Sequence, residues 1–208
     1  MNPDQTAGPI DLPPGHVHIW KIRLDRRPRL APTAEESTHA TRLATTALRR
    51  RYVAAHSAVR DILSRYTSAS LDFARHPRGK PYLSNTPELR FNLTHSRSLA
   101  LLAIARDLEV GIDLERLRPL PDYPAIAQRY FPEDIPSPTS VRDFFRQWTR
   151  FEALLKAHGA GLFAIGEPPQ GDWCVRTLDA GPRYAAALAS QGEPRAIEFH
   201  EYPHKENE

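Results

Sequence analysis

Cysteine is nearly absent from this chain. Cys174 stands alone among 208 residues, which excludes an internal disulfide framework and a cysteine-based zinc site and points to a reducing compartment. An isolated cysteine of this kind is expected to behave as a small buried hydrophobe. Long apolar runs are missing as well, since no segment approaches the ~18 residues that mark a membrane span. The opening MNPDQTAGPIDLPPG lacks a basic region followed by an apolar stretch, so no secretory leader is read and the protein is expected in the cytoplasm without a membrane partner. No repeat is visible in the letters. A large excess of one charge is also lacking: 28 Lys and Arg face 25 Asp and Glu, for a net charge of +3 and a pI near 9.2. Arginine supplies most of the positive charge, which favours bidentate contacts to phosphate or carboxylate. The partner is therefore expected to be anionic.

What is present suits a folded unit. An apolar content of 40% fits one globular body, or two small halves sharing a core. Residues 1–15 are rich in Pro and Gly and read as a loose, flexible N-terminal arm. HVHIWKIRL (16–24) has strand composition. From Thr33 to Tyr66, apolar residues including Leu48, Tyr52, Ala55, Val59 and Ile62 recur at helical spacing, predicting one long amphipathic helix with a basic flank. HPRGKPYL carries turn chemistry into a short strand, and LRFNL, SLALLAIAR and VGIDLE read as three strands separated by THSR and DLE. A short helix is expected around Ile126 to Tyr130, between two proline clusters. A longer one, capped by Thr139 or Ser140, is expected to run to about His158 and to end at Gly159 and Gly161. WCVRTL, YAAALAS and AIEFHEY supply three more strands. This order predicts an α+β chain of two similar halves, residues 16–107 and 108–208.

Three stretches carry possible chemistry. In VGIDLE, Ile112 and Leu114 point one way along a strand while Asp113 and Glu115 point the other. A half-buried strand with its polar side in water accounts for that spacing, yet two like charges on one face repel unless something positive lies between them. A divalent cation such as Mg²⁺, which takes carboxylates together with substrate phosphates, is a natural occupant. In WTRFEALLKAHGAGL, Glu152 and Lys156 share a helix face at a spacing that also suits an ordinary surface ion pair. In GKPYL and LRFNLTHSRS, Lys80 sits in a rigid turn. Thr94-His95-Ser96 reads as a polar turn, where backbone N–H groups and an imidazole can meet an anion.

Taken in order, GKPYL, FNLTHS, VGIDLE and W-x3-E-x3-KAHGAGL resemble the 4'-phosphopantetheinyl transferases of the Sfp type over roughly residues 40–165. That resemblance implies a monomer whose two halves are related by a pseudo-twofold, with the active site in the cleft between them. It implies transfer of the phosphopantetheine arm of coenzyme A to a serine of an apo acyl, peptidyl or aryl carrier protein, with release of adenosine 3',5'-bisphosphate. Asp113, Glu115 and Glu152 match the family's metal-binding acids, for Mg²⁺ or Mn²⁺. Glu152 also matches its proposed general base, and Lys156 the lysine that stabilises the departing phosphate. Lys80, Thr94 and His95 match residues around the nucleotide and its 3'-phosphate, and Arg51 matches the arginine of the basic helix, with Arg60 and Arg42 as further phosphate candidates.

Some positions depart from the family pattern. Phe151 stands where a lysine often precedes the catalytic glutamate, and Glu36 and His39 stand near positions that often carry lysine or arginine. The connection around Leu117 to Asp134, which in the family helps receive the carrier, is short and proline-rich. Two other readings remain: a coenzyme A-binding relative without transfer activity, and a nucleic-acid binder using the arginines of residues 42–60. Retention of the acids and of Lys156 weighs against the first, and the absence of any nucleic-acid reading motif against the second.

Overall fold

The computed structural model describes residues 10–159 and 171–203. The first strand, β1 (His16–Arg23), is followed by two helices, α1 (Ala34–Thr41) and α2 (Thr46–Leu63). A small hairpin, β2 (Phe73–Arg75) and β3 (Pro81–Leu83), precedes the long strands β4 (Leu89–Ser96), β5 (Leu99–Arg106) and β6 (Val110–Arg116). Helices α3 (Tyr123–Tyr130) and α4 (Val141–His158) follow, then β7 (Trp173–Leu178), β8 (Tyr184–Gln191) and β9 (Ala196–Glu201). No helix among the described residues is long and apolar enough to cross a membrane.

The α+β reading holds, and the doubling is visible in topology. In the N-terminal sheet β1 pairs with β5 and β5 with β4, all antiparallel. In the second sheet β6 pairs with β8 and β8 with β7, again antiparallel. Each half is thus a strand, a helix and a hairpin whose second strand lies beside the first. One element breaks the division at residue 108. β9 returns to the N-terminal sheet and pairs in parallel with β1, so the end of the chain completes the first half.

β5 explains its own sequence. Ala100, Leu102 and Ile104 enter a core with α2, while Leu99, Leu101, Ala103 and Ala105 enter a second core with Ile112 and Leu114 of β6. A strand buried on both faces reads as a continuous apolar run, and LALLAIAR is one. The N-terminal sheet is therefore the middle layer, and β6 approaches it from the side opposite α2.

Four expectations are corrected. The helix expected from Thr33 to Tyr66 is two helices, because Thr33 starts one with a capping box and Thr45, in extended geometry, caps the next through Leu48 N–H. The arm expected over residues 1–15 is anchored from Ile10 onward: Leu12 is buried in the α2 core and the Ile10 N–H donates to the Arg65 carbonyl at 2.6 Å. Thr94-His95-Ser96 is the end of β4, and the turn is the two-residue Arg97-Ser98, with Arg97 at φ 59°. Cys174 is half-buried rather than buried. Ser140 caps α4 through Asp143 N–H and Gly159 ends it in the left-handed region, as read; Gly161 lies outside the described residues.

Candidate active site

The cleft forms where α4 lies against β6. Along β6, Val110, Ile112 and Leu114 turn into the shared core, which leaves Gly111, Asp113 and Glu115 on the α4 side. Small residues bring the two elements together. Ala153 and Ala157 of α4 pack on Ala187 and Ala189 of β8, and a Cβ at Gly111 would lie 2.2 Å from both the Ala153 carbonyl oxygen and the Ala157 nitrogen. Glycine at 111 is thus required by space, and it sets the distance between the strand that carries Asp113 and the helix that carries Glu152 and Lys156.

Lys156 reaches across this junction. Its ammonium donates to Asp113 Oδ1 at 2.5 Å and to Thr94 Oγ1 at 3.3 Å. The ion pair is therefore with an acid of the facing strand and not with its helix neighbour Glu152. Thr94 is buried and its hydroxyl donates to Asp113 Oδ1 at 3.2 Å. Thr94, read as lying beside the nucleotide, holds the acid in place here. Asn92, missed in the sequence, and Ser96, read there as part of a polar turn, extend the pattern: Asn92 Oδ1 accepts from Ile112 N–H at 2.9 Å, and Ser96 Oγ donates to Glu115 Oε2 at 3.2 Å while accepting from Arg116 N–H at 3.0 Å. Asn92, Thr94 and Ser96 occupy alternate positions on β4, so one polar stripe stitches it to β6 where no strand ladder joins them. The alternation was the available signal.

Charge is concentrated in the cleft. Burial pushes the Glu152 carboxyl above its ordinary value; Lys156 opposes this, and the carboxylates of Asp113 and Glu115 add to it. His95 is open to solvent on β4, yet the protein around it pushes the imidazole below its ordinary value, with the cations of Lys156 and Arg51 acting the same way. Arg51 and Lys156 thus place positive charge beside His95 and the acids. An anion bound there would offset their mutual repulsion.

Two assigned phosphate ligands are used elsewhere. The three N–H donors of Lys80 go to Glu109 Oε2 at 2.7 Å, the Val110 carbonyl at 3.1 Å and the Ala157 carbonyl at 2.8 Å. That ammonium ties the end of α4 to β6 and has no donor left for a nucleotide. Arg60 makes a bidentate pair with Glu36 at 2.8 and 2.9 Å and also donates to the Ala31 carbonyl. Glu36 therefore neutralises a helix arginine and joins α1 to α2. Arg42, at the end of α1, is exposed. Phe151 is buried and meets Phe131 edge-on at 5.9 Å, so it packs on α3's exit while Glu152 faces the cleft.

The acids offer oxygen only, the donor set that suits Mg²⁺ or Mn²⁺. Asp113 Oδ2 is buried and has no hydrogen-bond partner among the described residues, and such an orphan acceptor can be met by a cation or by water. The acids are not drawn together around a point. Among the described residues, the trio whose ligand atoms all lie within 4.8 Å of one another is His18, Glu198 and His200.

Comparison with known proteins gives the family. The sequence pattern of the 4'-phosphopantetheinyl transferase superfamily matches residues 109–205, which include Asp113, Glu115, Glu152 and Lys156. The chain is 37% identical over 170 residues to the 4'-phosphopantetheinyl transferase HetI of a Nostoc species, covering 73% of this chain and 72% of that protein. It is 30% identical over 162 residues to a putative 4'-phosphopantetheinyl transferase of a Synechocystis species, covering 69% of this chain and 65% of the other. With the 4'-phosphopantetheinyl transferase Sfp of Bacillus subtilis it shares 28% identity over 114 residues, half of each chain. The chain belongs to the 4'-phosphopantetheinyl transferase superfamily.

Proposed function

We propose that this cleft carries out the reaction for which the superfamily is named: 4'-phosphopantetheine passes from coenzyme A to a serine hydroxyl of an apo acyl, peptidyl or aryl carrier protein. The observation that carries the proposal is the Asp113–Lys156 contact beside Glu152, an acid raised by burial, with the unpartnered oxygen of Asp113 turned inward. The serine oxygen attacks the β-phosphorus of coenzyme A, the bond to the α-phosphate oxygen breaks, and adenosine 3',5'-bisphosphate leaves. Glu152 takes the serine proton directly or, with its carboxylate engaged by the metal, through water. Lys156 places positive charge where the leaving phosphate gains negative charge. Asp113, Glu115 and Glu152 would hold Mg²⁺, or Mn²⁺, which supplies charge neutralisation at the diphosphate when bound.

Arg51 and His95 are assigned to coenzyme A phosphates, since both flank the cleft and Arg51 has no ion pair among the described residues. Both sides of the cleft come from one chain, which supports action as a monomer. An acidic carrier surface suits an enzyme with net charge +3. The test is incubation with coenzyme A, Mg²⁺ and a panel of apo-carriers, read by intact mass. Gain of one phosphopantetheine on a carrier, lost in Asp113→Ala, is expected. No gain on any carrier under conditions where a known transferase loads them would set the proposal aside.

A further inference from the structure

The second concentration of ligating side chains lies on the other half of the molecule, where β9 joins β1. Strand alternation puts His18 and Trp20 on the α2 face of β1, and the parallel register sets Glu198 beside His18 and His200 beside Trp20. The ligand atoms of His18, Glu198 and His200 all lie within 4.8 Å of one another. Among the described residues no hydrogen bond joins these three side chains to each other. His18 Nε2 stands 3.7 Å from Glu198 Oε2, beyond hydrogen-bond range. His200 Nε2 is buried with no hydrogen-bond partner.

The surroundings orient these rings. His18 is 3% exposed and its Nδ1 is 2.9 Å from the Tyr66 hydroxyl, which also accepts from Trp20 Nε1–H at 2.7 Å. In the Nδ1–H tautomer that a metal on Nε2 would select, the lone pair of Nε2 faces Glu198. A ligating histidine is commonly held this way through its second nitrogen. His200 is fixed by stacking on Trp20, with centroids 4.8 Å apart and planes 22° apart. Glu198 is about half exposed and free to close the remaining gap. His16 Nδ1, 3.6 Å from Glu198 Oε1 and also without a hydrogen bond, adds a possible fourth donor.

We propose that His18, Glu198 and His200 form a binding site for a transition-series divalent cation of the Zn²⁺ class, which clips the C-terminal strand β9 onto β1. Two imidazoles and one carboxylate select such an ion over Mg²⁺. Metal–ligand bonds of about 2.0–2.2 Å place tetrahedral donors roughly 3.4 Å apart, so side-chain adjustment of about an ångström suffices, without backbone movement. The site is separate from the acids of the cleft in both residues and metal preference.

The experiment is a titration of the full-length protein with Co²⁺, followed by its visible absorption, together with thermal melts in Zn²⁺. Wild type and Asp113→Ala are expected to bind Co²⁺ with an absorption band of nitrogen-containing low-coordinate ligation, and Zn²⁺ is expected to raise Tm in both. Glu198→Gln, at an exposed position that tolerates change, is expected to lose at least about tenfold in affinity, and His200→Ala is expected to lose both the band and the Tm shift. Absence of the band in wild type, its persistence unchanged in Glu198→Gln, or its loss in Asp113→Ala alone would each overturn the site.

Discussion

Replacing Gly111 by alanine tests the packing on which the cleft depends. The added Cβ would lie 2.2 Å from the Ala153 carbonyl oxygen, 2.2 Å from the Ala157 nitrogen and 2.7 Å from the Ala157 Cα. These are backbone atoms of α4, so no change of rotamer removes the clash. Ordinary contact begins at 3.4 Å, and the helix must retreat by about 1 Å to reach it. Overpacking of this kind costs about 1–3 kcal/mol, or roughly 2–4 °C of Tm per kcal/mol in a chain of this size. The effect on chemistry is expected to be larger. Glu152 and Lys156 adjoin the two alanines whose backbone is struck, so a retreat of the helix opens the 2.5 Å contact between Lys156 and Asp113. Misplacement of catalytic groups by about 1 Å can lower rate by ~10²-fold. Circular-dichroism melts and single-turnover transfer at saturating coenzyme A measure the two effects. A folded variant that matches the parent in both Tm and rate would refute the contact.

Lys156→Ala is expected to lower the single-turnover rate by about 10²–10³-fold with a smaller change in coenzyme A affinity from calorimetry; equal losses in both would make the lysine a binding residue only. Arg51→Ala is expected to weaken coenzyme A binding, whereas Arg60→Ala leaves it nearly unchanged and destabilises the fold by about 1–3 kcal/mol, because the half-buried Glu36 pair is broken; titration calorimetry and denaturant melts separate the two. Burial holds the His56 imidazole below its ordinary value of 6.5, so the unfolded chain takes up the proton first. Its contribution to stability is full above about pH 6.5 and is lost as pH falls towards the lower folded value. His56→Gln is expected to flatten that part of the stability profile, and an unchanged slope would remove the assignment.

Local pattern carried much of the fold. Alternation in VGIDLE placed Asp113 and Glu115 on one side and Ile112 and Leu114 on the other, and the structure keeps that division. The break between α1 and α2 was missed because apolar residues continue at helical spacing on both sides of it, although Thr45, a good cap, was there to be read. The return of β9 to β1 was beyond local pattern, since AIEFHEY identifies a strand without naming its neighbour. The same limit applies to charge. Lys80 and Arg60 looked available for phosphate because their partners, Glu109 and Glu36, lie 29 and 24 positions away. His18 and His200 meet only because the last strand crosses back to the first.

The most direct measurement is the anomalous scattering of Mn²⁺ in crystals grown with coenzyme A. One manganese peak is expected between Asp113, Glu115 and Glu152, touching the diphosphate of the cofactor, and no peak at that position in Asp113→Ala. Bound coenzyme A with those three carboxylates apart, and no metal among them, would contradict the assignment of this cleft.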